Sequence, residues 1–197
     1  QSEAALAELQ AGIEVIPDSR DLRLAYATAL IRVGDAETAE RVLTAPGDLW
    51  TRVPAETWDR IARIEPAGTE QGLSNARQLI DQTLGQIARR RRLLASAAVL
   101  QGDLARAAEE YRLSVEARHN GAAQLRLADL RVALGEETKA KEAYLGIPPR
   151  QARPARARLK RWDEVGFAAF SAEMKQFITA HPQGYTALGE PPEWPPR

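Results

Sequence analysis

The 197-residue chain contains no cysteine, which excludes disulfides, thiolate nucleophiles, sulfur-ligated zinc and iron–sulfur clusters. Aromatic residues make up only 6% of the sequence, too few for a thick aromatic core. No apolar run approaches the roughly 20 residues of a membrane-spanning helix, and no signal peptide is visible. We therefore expect a soluble chain, with a cytoplasmic location favoured over a periplasmic or exported one.

The chain also lacks net charge, because 27 basic residues balance 27 acidic ones. It therefore has no overall positive field of the kind that dedicated nucleic-acid binders use. The balance is uneven along the sequence. Residues 1–83 carry 14 acids and 8 bases, residues 84–161 carry 8 acids and 17 bases, and residues 162–197 carry 5 acids and 2 bases. The net charges of −6, +9 and −3 predict a basic surface in the middle of the fold.

Glycines recur at a fixed interval. Gly34, Gly68 and Gly102 lie 34 residues apart, and Gly135 follows after 33. Three of these glycines are followed five residues later by alanine and nine residues later by a larger apolar residue; these are Ala39, Ala107 and Ala140, then Leu43, Tyr111 and Tyr144. Glycine suits a helix end, and the alanine allows a second helix to approach closely. The pattern predicts a series of helical hairpins.

This arrangement resembles the tetratricopeptide repeat family. Ala27, Ala95 and Ala128 match its early small position, and Pro17 and Pro182 match its closing proline. The resemblance implies a right-handed solenoid of paired helices. Apolar residues spaced for helices dominate the sequence, and alternating strand patterns are missing, so the expected class is all-α.

The repeat spacing divides the chain into a repeat domain, residues 1–181, and a proline-rich, extended tail, residues 182–197. The expected repeats are 1–19 (partial), 20–53, 54–87 (degenerate), 88–120, 121–149 and 150–181 (partial). The first partial repeat carries an apolar stripe at Ala5, Leu9, Ile13 and Ile16 with no preceding helix to cover it. We expect this helix to associate with another copy, a partner or the rest of a longer protein.

No residue pattern indicates catalysis. The two histidines, His119 and His181, stand where repeats should turn, and neither has a second histidine or cysteine nearby. Metal-ligand spacing, a serine–histidine pair and a glycine-rich phosphate loop are all missing from the sequence. The chain is therefore interpreted as a non-enzyme without metal or cofactor.

The resemblance instead implies a concave groove that binds a protein segment. Carried over by the glycine register, the expected groove residues are Thr28, Trp58, Arg89, Arg92, Ser96, Leu125, Arg126 and Asp129. Arginine binds carboxylates bidentately, and the apolar residues Leu93, Val99, Leu125 and Val132 interrupt the basic ones. The predicted function is that of a scaffold or adaptor whose partner carries acidic and apolar residues.

Several alternatives stay open at this point. A run of charge on a helix is ordinarily a solvated face, and Trp58 can serve as a packing residue. A second basic cluster, Arg150, Arg153, Arg156, Arg158, Lys160 and Arg161, is placed on an outer face. The arginine-rich surface could also bind a polyanion such as RNA, although aromatic residues do not interleave with it. A third possibility is an accessory repeat domain of a larger enzyme.

Overall fold

The computed structural model describes residues 2–45, 47–50 and 70–189, and these ranges are helical without any strand. Nine α-helices lie in them: α1 (Ser2–Val15), α2 (Arg20–Val33), α3 (Ala36–Thr44), α4 (Glu70–Leu100), α5 (Leu104–Ala117), α6 (Gly121–Ala133), α7 (Glu137–Leu145), α8 (Arg153–Val165) and α9 (Phe167–Ala180). Short 3₁₀ helices cover Gly47–Trp50, Pro149–Gln151 and Pro182–Tyr185. The all-α prediction is confirmed for these ranges. None of their helices combines the length and apolarity needed to cross a bilayer.

The periodic glycines end helices in the same way three times. Gly34, Gly102 and Gly135 adopt φ angles of 86°, 79° and 76°, a left-handed conformation that costs glycine little. At each turn the amide of the following residue donates to the carbonyl oxygen five positions before it, at 2.9 Å. This is the hydrogen bond that closes a Schellman motif. The predicted helix-ending role of these three glycines is confirmed.

The residues at fixed distances from these glycines pack between helices. Ala39, Ala107 and Ala140 are fully buried, and so are Ala27, Ala95 and Ala128 in the preceding helices. The larger residues nine positions after the glycines are buried as well; they are Leu43, Tyr111 and Tyr144. Small side chains at the crossing allow two helices to approach, and the larger residue one turn later fills the space beside them. The chain therefore folds as repeat-like helical pairs.

Helix α4 is shared by two hydrophobic clusters. One cluster joins α2 and α3 to Leu93, Leu94 and Ala97 of α4. The other runs from Ala95 and Ala98 of α4 through α5 to α9. Each helix from α4 to α9 contacts the next along the chain, and α9 also packs against α6. Both halves of the described fold thus depend on opposite faces of a single helix.

The repeat boundary predicted between residues 87 and 88 does not coincide with a helix end. Helix α4, which is 31 residues long, continues through it. No proline lies within α4, and the glycine nearest the boundary, Gly85, costs a helix only about 1 kcal/mol. Packing against α2, α3 and α5 outweighs that cost. The first part of the expected degenerate repeat, including Trp58 and Gly68, lies outside the described residues.

The start of the expected tail is not extended. Pro182–Tyr185 forms a 3₁₀ helix, and the side chains of Tyr185 and Thr186 are buried against the helices. The chain becomes extended at Thr186, with φ −73° and ψ 160°. Burial of the Tyr185 ring and the hydrogen bonds of its polar groups outweigh the preference of this proline-rich sequence for an extended chain. We call residues 185–189 the C-terminal segment; residues 190–197 lie outside the described ranges.

The apolar stripe of α1 is partly covered. Leu9 and Ile13 pack against the cluster formed by α2 and α3, whereas Ala5 and Ile16 are exposed. Association of α1 with another copy or a partner stays a prediction.

Replacing Ala107 or Ala140 with leucine is expected to lower the free energy of unfolding by about 1–3 kcal/mol, because added methylenes overpack a closely packed contact. Ala105, an exposed residue of α5, supplies the matched control. Ala105→Leu should change stability by less than about 0.5 kcal/mol. Urea unfolding followed by circular dichroism measures all three. Equal stability of the two buried variants and the control would contradict the packing described here.

Candidate functional site

Six of the eight predicted groove residues form a connected set. They are Thr28 of α2, Arg89, Arg92 and Ser96 of α4, and Arg126 and Asp129 of α6. The Arg89 guanidinium donates to the Thr28 hydroxyl at 3.3 Å, and the C-terminal segment links Ser96, Arg126 and Asp129. These six predicted positions therefore lie on three helices that meet around the C-terminal segment.

The C-terminal segment is held through alternate main-chain groups. The Tyr111 hydroxyl donates to the carbonyl oxygen of Tyr185 at 2.7 Å, and the Ala187 amide donates to the Ser96 hydroxyl, also at 2.7 Å. Two residues further on, Arg126 Nη2 donates to the carbonyl oxygen of Gly189. These contacts hold a turn, because the Gly189 amide also donates to the carbonyl oxygen of Thr186 at 3.3 Å. Ser96 and Arg126, two of the predicted groove residues, thus already bind a piece of their own chain.

A buried carboxylate fastens the start of this segment. The Asp129 side chain has 0% exposure. Arg158 Nε donates to its two oxygens at 2.7 and 2.8 Å. The hydroxyls of Tyr144 and Tyr185 donate to the same carboxylate at 2.6 and 3.0 Å. The charge is paired and its oxygens are hydrogen-bonded, which is the condition for keeping an ion inside a protein.

Two expectations need correction here. Asp129 does not line an open groove, because its carboxylate is enclosed by this chain's own groups. Arg158 does not lie on an outer face with the rest of the second basic cluster, since it is almost fully buried. A sequence signal was present: Asp129 is the single acid of α6 and lies between apolar neighbours, and an acid in that position needs a buried partner.

Burial and the charge of Asp129 shift the pKa values of the side chains that donate to this carboxylate. Burial, then the Asp129 charge, raise the pKa of Tyr144 and of Tyr185 well above the ordinary value of 10.0. Burial alone would lower the pKa of Arg158, but the charge of Asp129, the two tyrosines and the hydrogen bond to Asp129 together outweigh it, and the pKa rises. Both tyrosine hydroxyls stay protonated and donating, and Arg158 stays charged.

Arg89, Arg92 and Arg126, which we call the arginine site, differ from the basic residues around them. Several neighbours are paired with acids: Arg91 with Glu110, Arg106 with Glu40, Arg118 with Asp81 and Arg161 with Glu173. Across residues 2–45, 47–50 and 70–189, no carboxylate lies within ion-pair distance of the arginine site. The site therefore carries positive charge that the described fold does not neutralise.

Arg126 is the most unusual of the three because only 4% of it is exposed. Its guanidinium donates to the carbonyl oxygens of Ala122, at 3.2 Å, and Gly189. Its Nε is buried and has no hydrogen-bond partner among the described residues. A buried cation whose bonds there go to neutral carbonyls bears a desolvation cost that an anion would offset.

Arg92 is half-buried next to Arg126. Burial lowers the pKa of Arg92, and the charges of Arg89, Arg118 and Arg126 lower it further, although Tyr111 opposes the shift. The positive charges are thus close enough to repel one another. A negatively charged group bound among them would relieve that repulsion.

The remaining groove predictions fare differently. Leu125, Leu93, Val99 and Val132 are all buried in the hydrophobic clusters, so the expectation that they form apolar contacts along an open groove is wrong. Leu125 lines the base of an open cleft of about 470 Å³ between the start of α6 and the start of α8. Trp58 lies outside the described residues. Leu188, which is 38% exposed, is the apolar side chain next to the Gly189 contact.

Within the described ranges, no three histidine or acidic side chains gather in a way that would hold a metal ion. His119 and His181 are exposed in the turns after α5 and α9. No family model, curated protein or solved structure matches the chain. We take the arginine site and the C-terminal segment beside it as the candidate functional site.

Arg158→Met is expected to destabilise the fold by about 3–5 kcal/mol, because it leaves the Asp129 carboxylate buried without its cation. Adding Asp129→Asn removes that charge and should recover at least half of the loss. Arg161→Met is the control; its pair with Glu173 is partly exposed and is expected to contribute little to stability, because solvent screens it. Urea unfolding of the four chains measures the coupling, and equal losses for Arg158→Met and Arg161→Met would contradict it.

The raised tyrosine pKa values predict a loss of stability at alkaline pH. Below pH 10 both the folded and the unfolded chain keep these protons, so the contribution of the two tyrosines is complete. Above it the unfolded chain releases them first, and the free energy of unfolding falls as pH rises. Unfolding measured from about pH 8 to 11 should show a shallower fall in Tyr144→Phe and Tyr185→Phe than in the parent chain. Tyr26→Phe, far from Asp129, should leave the slope unchanged.

Proposed function

We propose that this protein is a non-catalytic interaction scaffold whose arginine site binds an acidic segment of a partner protein. The observation that carries the proposal is the unneutralised charge at Arg92 and Arg126, half-buried and buried respectively. Arg91, Arg106 and Arg118 have acid partners, whereas Arg92 and Arg126 have none within the described ranges. A carboxylate of a partner would supply the negative charge that the arginine site lacks.

Guanidinium chemistry favours a carboxylate in particular. The planar fork of arginine binds the two oxygens of aspartate or glutamate through parallel hydrogen bonds. Partial burial strengthens such a pair, because fewer waters compete for it. Leu188 offers a partner an apolar contact next to the site, in keeping with a segment of mixed acidic and apolar residues.

The proposed architecture is a tetratricopeptide-like solenoid, with the arginine site on its concave side. Three identical glycine turns, each followed by a buried alanine five residues later, support a true repeat. Repeat arrays of this kind present extended surfaces for partners. Because folds host many functions, the proposal rests on the site and not on the likeness.

The test uses a fluorescein-labelled peptide of alternating glutamate and leucine, with its glutamine counterpart as the uncharged control. The double variant Arg89→Glu/Arg92→Glu should weaken binding of the acidic peptide at least tenfold and leave the melting temperature nearly unchanged, since exposed and half-exposed charges contribute little to folding. Arg126 is left intact because a buried glutamate in its place would disturb the fold.

The matched control is Arg153→Glu/Arg156→Glu, a reversal of two exposed arginines on α8. It should change binding less than twofold, and fluorescence anisotropy measures both. Loss of binding in this pair, but not in Arg89→Glu/Arg92→Glu, would move the contact surface to α8. A labelled single-stranded RNA that binds more tightly than the peptide, with a steep salt dependence, would favour the polyanion alternative.

A further inference from the structure

The C-terminal segment has two parts that are held very differently. Tyr185 is fully buried, belongs to the large hydrophobic cluster and hydrogen-bonds Asp129. Residues 187–189 are fastened to the helices by two polar contacts, from the Ala187 amide to Ser96 and from Arg126 to the Gly189 carbonyl. Removing Tyr185 from the core would leave a large cavity. Residues 187–189 can leave by exchanging hydrogen bonds alone: the two contacts to the helices, and those of the Gly189 amide to the carbonyl oxygen and hydroxyl of Thr186 at 3.3 and 3.2 Å.

The contact at Gly189 occupies a position suited to an anion. The Gly189 carbonyl is a neutral acceptor bonded to Arg126, a buried cation that has no acid partner among residues 2–45, 47–50 and 70–189. A carboxylate in the same place would form charge-assisted, bidentate hydrogen bonds, which are about twice as strong as neutral ones. The carbonyl therefore holds Arg126 more weakly than an acidic side chain would.

We propose that residues 187–189 are a built-in latch: the Gly189 carbonyl occupies the carboxylate position on Arg126, and an acidic partner segment displaces it while Tyr185 stays anchored. The inference rests on the proposed function and adds its regulation. The latch sets a threshold, because a ligand has to replace two existing hydrogen bonds before it reaches Arg126. Segments with few carboxylates therefore do not displace the latch, whereas segments that place a carboxylate on Arg126 do.

The closed latch depends on glycine at its end. A Cβ atom at Gly189 would lie 2.3 Å from the carbonyl oxygen of Gln183 and 3.1 Å from the Cα of Gly184. Both are main-chain atoms, so the clash cannot be relieved by turning a side chain. Gly189→Ala should therefore open the latch without changing the arginine site. Ser96→Ala loosens it from the other side by removing the hydroxyl that accepts from Ala187.

The experiment measures the affinity of the full chain for the labelled glutamate–leucine peptide. Both Gly189→Ala and Ser96→Ala should bind it about five- to tenfold more tightly than the parent chain, since a competing hydrogen bond has been removed in each. Gln183→Ala, which alters an exposed side chain of the preceding turn, is the matched control and should bind like the parent. In the parent chain, adding peptide should speed hydrogen exchange of the Ala187 amide and leave exchange within α6 unchanged.

The possible results separate this inference from the proposed function. Equal, arginine-dependent affinity in the parent, Gly189→Ala and Ser96→Ala chains would refute the latch and keep the function. Weaker binding by both variants would mean that residues 187–189 are part of the surface that binds the peptide, and this result would also refute the latch. If no chain binds the acidic peptide, the function and the latch both fail. Slower exchange of Ala187 on adding peptide would count against displacement.

Discussion

One buried carboxylate ties the C-terminal half of this protein together. Asp129 lies on α6, and its three donors come from α7, α8 and the 3₁₀ helix Pro182–Tyr185. Each donor would lose a strong acceptor without the acid, and the acid would be an isolated buried charge without Arg158. The position of the C-terminal segment follows from this arrangement, because Tyr185 reaches Asp129 only when α8 and α9 are in place.

Buried arginines in this fold are used in different ways. Arg158 is enclosed with an acid and serves to join helices. Arg126 donates to carbonyl oxygens and has no acid partner within the described ranges, so its charge adds a cost to the folded state that packing elsewhere has to offset. Arg23 is also buried, and it donates to the carbonyl oxygens of Pro17 and Val42. Burial of an arginine among carbonyl oxygens is therefore shared by more than one position of the fold.

Helix α4 explains how a local repeat becomes a continuous structure. Its C-terminal half provides the first helix of a repeat, with Ala95 and Gly102 in their expected places. The same helix carries Leu93 and Ala97 on a face that packs against α2 and α3. A repeat needs neighbours on both sides to bury its apolar surface, and α4 meets this need with two faces. It also places Arg92 and Ser96 against the C-terminal segment.

Much of the fold could be predicted from the sequence because its determinants are local. Left-handed glycines, buried alanines and the following apolar residues act within one or two turns of helix, and their spacing fixed the helix pairs and the relative positions of Arg89, Ser96 and Arg126. The failures involve distant residues. Tyr185 meets Asp129 across 56 positions, and Ala187 meets Ser96 across 91.

Local sequence therefore determined that the described ranges are helical and where most of their hairpins turn. Only the tertiary structure decided which arginines have an acid partner in these ranges, which are buried, and that residues 185–189 contact Ser96, Arg126 and Asp129. Helix ends depend on backbone conformation at single residues, whereas the pairing of charges depends on which elements meet in space.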